Sequence, residues 1–223
     1  MIEYLITGCG GFVGFHYLKH LESIGCQRQI VGIGTTAPST IPENIQFDFY
    51  TGNLLDADHL ARTVKQTTPR FCVHLAAKSS VAASWSNPAE SVLNNTNIFL
   101  NLVEAIRKHS PETRILSVGS SEQYGSRPND DSPLKESDRL CPESPYAVAK
   151  CAQESLGCIY VQSYGLDLVM TRSFNHIGPG QSPQFAVSHF ARSFAKALCD
   201  GKEDLVLPTG NLDVIRDFVD VRD

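Results

Sequence analysis

A short apolar stretch, residues 3–7, runs straight into Thr7-Gly8-Cys9-Gly10-Gly11-Phe12-Val13-Gly14. That junction restricts the fold more than any other part of the chain. A strand that enters a helix through a glycine-rich turn is the first unit of a parallel sheet covered by helices. The rest of the sequence repeats the pattern. Apolar runs at residues 29–33, 45–49, 71–75, 114–118 and 167–171 alternate with helix-period segments, which predicts an α/β, doubly wound parallel sheet.

The first helix is expected from Gly11 to Gly25, since glycine suits the left-handed position just past a helix end. A second is marked at both ends: Ser144 and Pro145 fit the N-cap and first turn, and Gly165 stops it after Tyr164. The glycines and prolines of residues 175–183 predict a loop. A helix at 185–198 and a short strand at 204–207 are expected after it. Residues 1–174 are read as one domain, and residues 175–223 as the start of a smaller C-terminal substrate-binding region. The final stretch carries no ending signal, so a truncated chain is expected.

Several function classes drop out. The formal net charge is −5 with no basic block, which argues against nucleic acid as a partner. No apolar run is long enough to span a bilayer, and the first strand begins without a preceding leader pattern, so a cytoplasmic protein is expected. Seven cysteines, an odd number with no C-x-x-C pair, read as reduced thiols. The histidines lack metal-ligand spacing, and no metal is predicted. Cys9, inside the glycine turn, is a candidate reactive thiol, although a cysteine at such a position is more often only a small residue.

The three glycines have separable jobs. Gly8 allows the turn, Gly11 admits a pyrophosphate close to backbone, and Gly14 packs helix on strand. The phosphates would lie at the helix N-terminus, where unpaired N–H groups and the helix dipole favour negative charge. An NAD site usually places an acid at the end of the second strand to take the ribose 2′-hydroxyl. Here that region reads Gly34-Thr35-Thr36. Either threonine can donate to a 2′-phosphate, but no arginine accompanies them, so NADP is favoured only slightly over NAD.

Tyr146 and Lys150 stand four apart on the expected helix, so their side chains share a face. A free tyrosine titrates near 10, and a neighbouring cation is expected to bring that value toward neutrality. Ser120, just after a strand, can hold the reacting oxygen by hydrogen bonding. The plain alternative is an exposed tyrosine and a solvated lysine, which the glycine turn and Ser120 together argue against. Glu122 can act as a base on a carbon acid or accept from a sugar hydroxyl, and the sequence leaves both open. Arg216 can supply charge for a diphosphate, or simply pair with Asp213 or Asp217 on the surface.

These residues resemble the extended short-chain dehydrogenase/reductase family along essentially the whole chain. The matching elements are the glycine turn, His74-Leu75-Ala76-Ala77, Asn94-Asn95, Ser120-Ser121-Glu122-Gln123-Tyr124-Gly125, Tyr146-x-x-x-Lys150 and Arg216-Asp217-Phe218-Val219-Asp220-Val221. Residues 173–181 look like the reductases of GDP-linked 4-keto-6-deoxy sugars, with the GDP-mannose dehydratases as close relatives. The resemblance implies a Rossmann-type fold and a Ser120–Tyr146–Lys150 triad, with Lys150 also on the nicotinamide ribose. It implies a cofactor cleft lined by Gly8, Gly11, Phe12, Val13, Gly14, Thr35, Thr36, Asn53, Leu54, Leu75, Ala76, Ala77 and Phe174. Asn95 would support the catalytic helix. Ser79, Glu122, Asn175 and Arg216 would face the sugar nucleotide, and a homodimer would form through the Tyr146 helix.

The chain departs from that pattern in three places, one of them its expected end where relatives continue into the rest of the substrate domain. Asn53-Leu54 stands where many relatives have Asp-Leu beside the adenine, and Ile98-Phe99 replaces the usual Gly-Thr after the asparagine pair. The resulting expectation is NAD(P)H-dependent reduction of a GDP-4-keto-6-deoxy-hexose. A 4,6-dehydratase with Glu122 as base, a nucleotide-sugar epimerase and a non-catalytic dinucleotide-binding module stand as the alternatives. The loop Gly178-Pro179-Gly180-Gln181 favours the reductase.

Overall fold

The computed structural model describes residues 2–126, 132–202 and 204–223. Among the described residues, eight strands, β1 (Ile2–Thr7), β2 (Gln29–Gly34), β3 (Gln46–Thr51), β4 (Phe71–His74), β5 (Arg114–Val118), β6 (Leu168–Thr171), β7 (Asn175–Ile177) and β8 (Phe218–Asp220), are joined by six α-helices. These are α1 (Phe12–Ser23), α2 (Ala57–Thr67), α3 (Val81–Ser86), α4 (Pro88–His109), α5 (Pro145–Tyr164) and α6 (Ala186–Cys199). The chain forms two compact units, Met1–Ser173 and Phe174–Asp223.

In the first unit six strands pair in the order β3-β2-β1-β4-β5-β6, every neighbour parallel. This is the doubly wound Rossmann order expected from the sequence. The strand order reverses between β1 and β4, the crevice where such sheets take ligands. Successive β1 residues face opposite layers, as pleating requires. Leu5 joins the core under α2, α4 and α5, with Leu60, Phe99, Leu102 and Ile106. Ile6 joins Leu18 and Leu21 of α1 on the other face. Ile98 and Phe99, the departure in the helix pattern, are both buried there. The Phe99 ring lies 5.9 Å from His74, and full burial of a phenylalanine contributes about 1.5–3 kcal/mol.

The helix boundaries follow their local chemistry. Ser144 Oγ accepts from Ala147 N–H at 3.1 Å, Pro145 opens α5, and Gly165 closes it at φ 70°. Asp56 caps α2 in the same way, accepting from His59 N–H at 2.9 Å.

The second unit corrects two expectations. Residues 175–177 are not loop: they form β7 and pair in parallel with β8, because partnered backbone is favoured over unpaired polar groups even in a short stretch. Residues 204–207 carry no strand and remain irregular, with Leu205 and Val206 exposed. Helix α6, Ala186–Cys199, matches the helix expected at 185–198 to within one residue at each end. No described helix is long and apolar enough to cross a membrane.

Candidate active site

The glycine turn closes tightly on its surroundings. Gly8 has φ +72°, and a Cβ there would stand 2.7 Å from Ala76 N and 2.8 Å from Ala76 Cα. A Cβ on Gly14 would lie 2.6 Å from Cys9 Cα and 2.7 Å from Gly8 O. Gly11 is the N-cap of α1 and supplies no side-chain cap, so the first-turn N–H groups keep their capacity for an anion. Phe12 and Val13 follow in that first turn and are half-buried. Gly10, outside the three-glycine pattern, is also confined: a Cβ there would run into Thr36 O. Thr35 and Thr36 are exposed at the end of β2, on the edge where a ribose would lie.

A buried hydrogen-bond pair fixes the tips of β1 and β4. Thr7 Oγ1 accepts from Ala76 N–H at 3.2 Å and lies 2.7 Å from His74 Nδ1. Burial, with the Lys150 charge nearby, pushes His74 down to about 3, so it is neutral. Leu75, Ala76 and Ala77 then leave the strand half-buried along the crevice. Asn95 holds the next turn: its Oδ1 accepts from Lys78 N–H at 2.8 Å, and its Nδ2 donates to Lys78 O at 3.2 Å. Ser79 is exposed immediately before α3.

Ser120, Tyr146 and Lys150 come together beyond β5, all nearly buried. Ser120 caps a single 3-10 turn, Ser121–Tyr124, and its Oγ accepts from Glu122 N–H at 3.3 Å. Tyr146 shares a hydrogen bond with Ser120. Lys150 Nζ donates to Val118 O at 2.7 Å and stands 5.9 Å from the centre of the Tyr146 ring. Glu122 is half-buried on the 3-10 turn and electrostatically coupled to Tyr146.

The electrostatics correct one expectation. Tyr146 is not drawn toward neutrality. Burial pushes its phenol up to about 12, the Ser120 hydrogen bond opposes this, and Glu122 adds to it. Lys150 is itself pushed down to about 8 by burial. Desolvation dominates both shifts because both groups lie in the protein interior. Cys9 takes the second of its two readings, a small packing residue. It is fully buried, and burial pushes its thiol up to about 11, so it packs under Gly32 and is no accessible nucleophile.

Asn53 is exposed and caps its own turn, its Oδ1 accepting from Leu55 N–H at 3.0 Å, while Leu54 is buried. Phe174, Asn175 and Arg216 belong to the second unit. There Asn175 Nδ2 donates to Asp217 O at 3.0 Å, and Arg216 is exposed. Among the described residues no three His, Cys, Asp or Glu side chains gather as a metal site, and all seven cysteines are free.

Sequence reasoning passed over the residues that support the cluster. Gln153 is fully buried and donates to Asn95 O at 2.6 Å, tying α5 to α4. Its position three residues after Lys150 was the available signal. Gln123, Glu154 and Arg172 form a second support.

A family model described as GDP-mannose 4,6 dehydratase matches residues 5–223. The chain is 32% identical over 218 residues to GDP-6-deoxy-D-mannose reductase of Pseudomonas aeruginosa, covering 98% of this chain and 66% of that protein. It is 31% identical to GDP-mannose 4,6-dehydratase of Vibrio cholerae, covering 98% of this chain and 61% of that one. The crystal structure of UDP-glucose 4-epimerase from Thermus thermophilus, in complex with NAD, superposes with a TM-score of 0.83 at 28% identity. That match covers 99% of this chain and 71% of the epimerase. The chain thus spans less than two thirds of the two curated relatives.

Proposed function

The chain belongs to the GDP-mannose 4,6-dehydratase family of the extended short-chain dehydrogenases, and from that premise we propose that it reduces the 4-keto group of a GDP-linked 4-keto-6-deoxy-hexose. One observation carries the reading: the Tyr146 phenol is buried, bonded to Ser120 and held protonated to about pH 12. A protonated phenol is poised to give a proton, which keto reduction requires, whereas alcohol oxidation first needs a base.

The glycine cradle fits a dinucleotide, because Gly8 and Gly14 leave no room for a Cβ and Gly11 leaves the α1 terminus uncapped. When bound, a reduced nicotinamide supplies the hydride to the keto carbon. Tyr146 gives its proton to the former carbonyl oxygen, completing the alcohol. Ser120 holds that oxygen by hydrogen bonding, and the Lys150 ammonium stabilises the phenolate left on Tyr146. Thr35 and Thr36 at the end of β2, with no acid among residues 34–36, favour NADPH. Arg216 grips the diphosphate, and Ser79, Glu122 and Asn175 contact the sugar. Exposed Leu93 of α4 and Val148 and Ile159 of α5 supply an apolar face for a homodimer.

A second reading, 4,6-dehydration, is favoured by Glu122, a carboxylate coupled to Tyr146 and placed to remove a proton beside a transient ketone. One assay decides. Full-length protein is mixed with GDP-4-keto-6-deoxy-mannose and NADPH, then NADH, and the reduced cofactor's absorbance is followed. Stoichiometric loss supports the reductase. No loss, together with conversion of GDP-mannose to a keto product, moves the assignment to dehydratase.

A further inference from the structure

Behind Ser120 lies a chain of buried hydrogen bonds that ends in an ion pair. The Ser120 N–H donates to Gln123 Oε1 at 3.0 Å. Gln123, fully buried, donates through Nε2 to Glu154 Oε2 at 2.6 Å. Glu154 on α5 is gripped by both arms of Arg172, Nε at 3.0 Å and Nη2 at 2.5 Å. The two side chains are only 18% and 15% exposed. Arg172 is fixed in turn by Glu136 O at 3.0 Å and by the face of the Tyr124 ring at 4.9 Å.

The chemistry of these groups gives the chain a direction. An amide has a donor end and an acceptor end, whereas an ionised carboxylate only accepts. Glu154 therefore obliges Gln123 to turn its NH₂ inward, which leaves Oε1 facing the Ser120 N–H. The reversed amide would set two donors against each other at Ser120 and open its cap. Arg172 keeps Glu154 ionised, since its hydrogen bonds hold the carboxyl below its ordinary range. Burial, with the Glu154 charge adding to it, pushes the nearby Cys151 thiol up, so it stays protonated near neutrality and puts no second charge beside the carboxylate.

We propose that Glu154 and Arg172 are positioning residues for Ser120: their ion pair fixes the Gln123 amide and, through it, the seat of the Ser120 hydroxyl. The inference rests on the reading of Ser120 as the group that holds the reacting oxygen. An ångström of misplacement at such a group costs up to about 10²-fold in rate.

The test is a double-mutant cycle in the full-length protein, with Glu154→Gln and Ser120→Ala alone and combined. Glu154→Gln preserves shape but lets the Gln123 amide turn. It is expected to lower kcat by up to about 10²-fold with KM for the keto-sugar nucleotide held, and to cost nothing further once Ser120 is alanine. Amide hydrogen exchange at Ser120, measured without any ligand, is expected to quicken in Glu154→Gln. An equal loss of kcat in both backgrounds overturns the proposal, because a merely structural defect is additive. Unchanged kcat in Ser120→Ala overturns the reading of Ser120 itself and the proposal with it. Should Glu154→Gln fail to fold, Gln123→Met carries the same cycle, with the same two outcomes.

Discussion

Lys150 holds its ammonium 5.9 Å from the centre of the Tyr146 ring while donating to Val118 O at 2.7 Å. The strand end thus fixes the lysine, and the lysine in turn faces the phenol. Removing only the phenolic oxygen, in Tyr146→Phe, deletes the proton donor and leaves the packing. Turnover of the full-length protein is expected to fall by about 10²–10⁴-fold, with the thermal unfolding midpoint nearly unchanged. Equal turnover of variant and wild type on every keto-sugar nucleotide would sink the mechanism.

The two shifts at this site predict which group sets the alkaline limb of activity. Lys150 loses its proton near pH 8 and Tyr146 only near pH 12. In the free protein kcat/KM should therefore decline above about pH 8, as the charge that stabilises the phenolate is lost, while the phenol still carries its proton. Stability follows the opposite course in that window. Lys150 binds its proton less tightly folded than unfolded, so its contribution rises with pH between about 8 and its ordinary value of 10.5. Tyr146 binds more tightly when folded, so its contribution is lost from about 10 to 12. A pH–rate profile beside pH-dependent denaturant melts checks both signs.

His74 makes a separate prediction at acid pH. It is fully buried, hydrogen-bonded to Thr7, and pushed down to about 3. The unfolded chain takes up that proton near 6.5 and the folded chain does not. Stability is therefore lost as pH falls through that range, at roughly 1.4 kcal/mol per pH unit for one proton. His74→Leu removes this proton linkage. Its stability is expected to depend less steeply on pH between 3 and 6.5 than wild type, whatever its absolute value. Identical slopes would show that His74 is charged in the folded protein.

Much of this architecture was legible because local chemistry agreed with the final fold. The glycine turn, the Ser144–Pro145 start and the Gly165 stop each specify backbone geometry within a few residues, and all three stand where expected. The pairing of β7 with β8 was not legible, since three-residue strands leave no periodicity and their partners are distant in sequence. The strand expected at 204–207 failed for the complementary reason: an apolar run predicts burial only where something covers it, and Val206 is exposed. At the site, residue types were legible and the environment was not. Tyr146 and Lys150 were placed on one face correctly, but the burial that sets their protonation comes from the surrounding layers of structure. The Glu154–Arg172 pair joins α5 to the end of β6, a meeting no spacing announces.

The glycine cradle should respond to added methyl groups in graded fashion. Gly8→Ala combines a left-handed φ, which costs about 1–2 kcal/mol, with a clash against Ala76 N at 2.7 Å. Gly14→Ala meets Cys9 and Gly8 backbone at 2.6–2.7 Å. Gly11→Ala meets only Gly8 O, at 3.3 Å. Affinity for NADPH, measured by fluorescence titration, is expected to fall most for Gly8→Ala and Gly14→Ala and least for Gly11→Ala. The same order should hold for the melting temperature. A uniform loss across the three would mean that the methyl group obstructs the ligand rather than the turn.

Glu122 separates the two chemistries that share this site. In keto reduction the proton comes from Tyr146, so a carboxylate beside it contributes only by contact with the sugar. In dehydration a carboxylate must remove a proton from carbon, and an amide cannot replace it. Glu122→Gln is isosteric and deletes only the basicity. It should raise KM for the keto-sugar nucleotide several-fold while kcat for reduction is retained, and it should also lower the Tyr146 pKa, because the Glu122 charge raises it. Steady-state kinetics give the first readout and an ultraviolet titration of the phenol the second. A loss of about 10²-fold or more in conversion of GDP-mannose to a keto product would show proton transfer by Glu122, and with it a dehydratase.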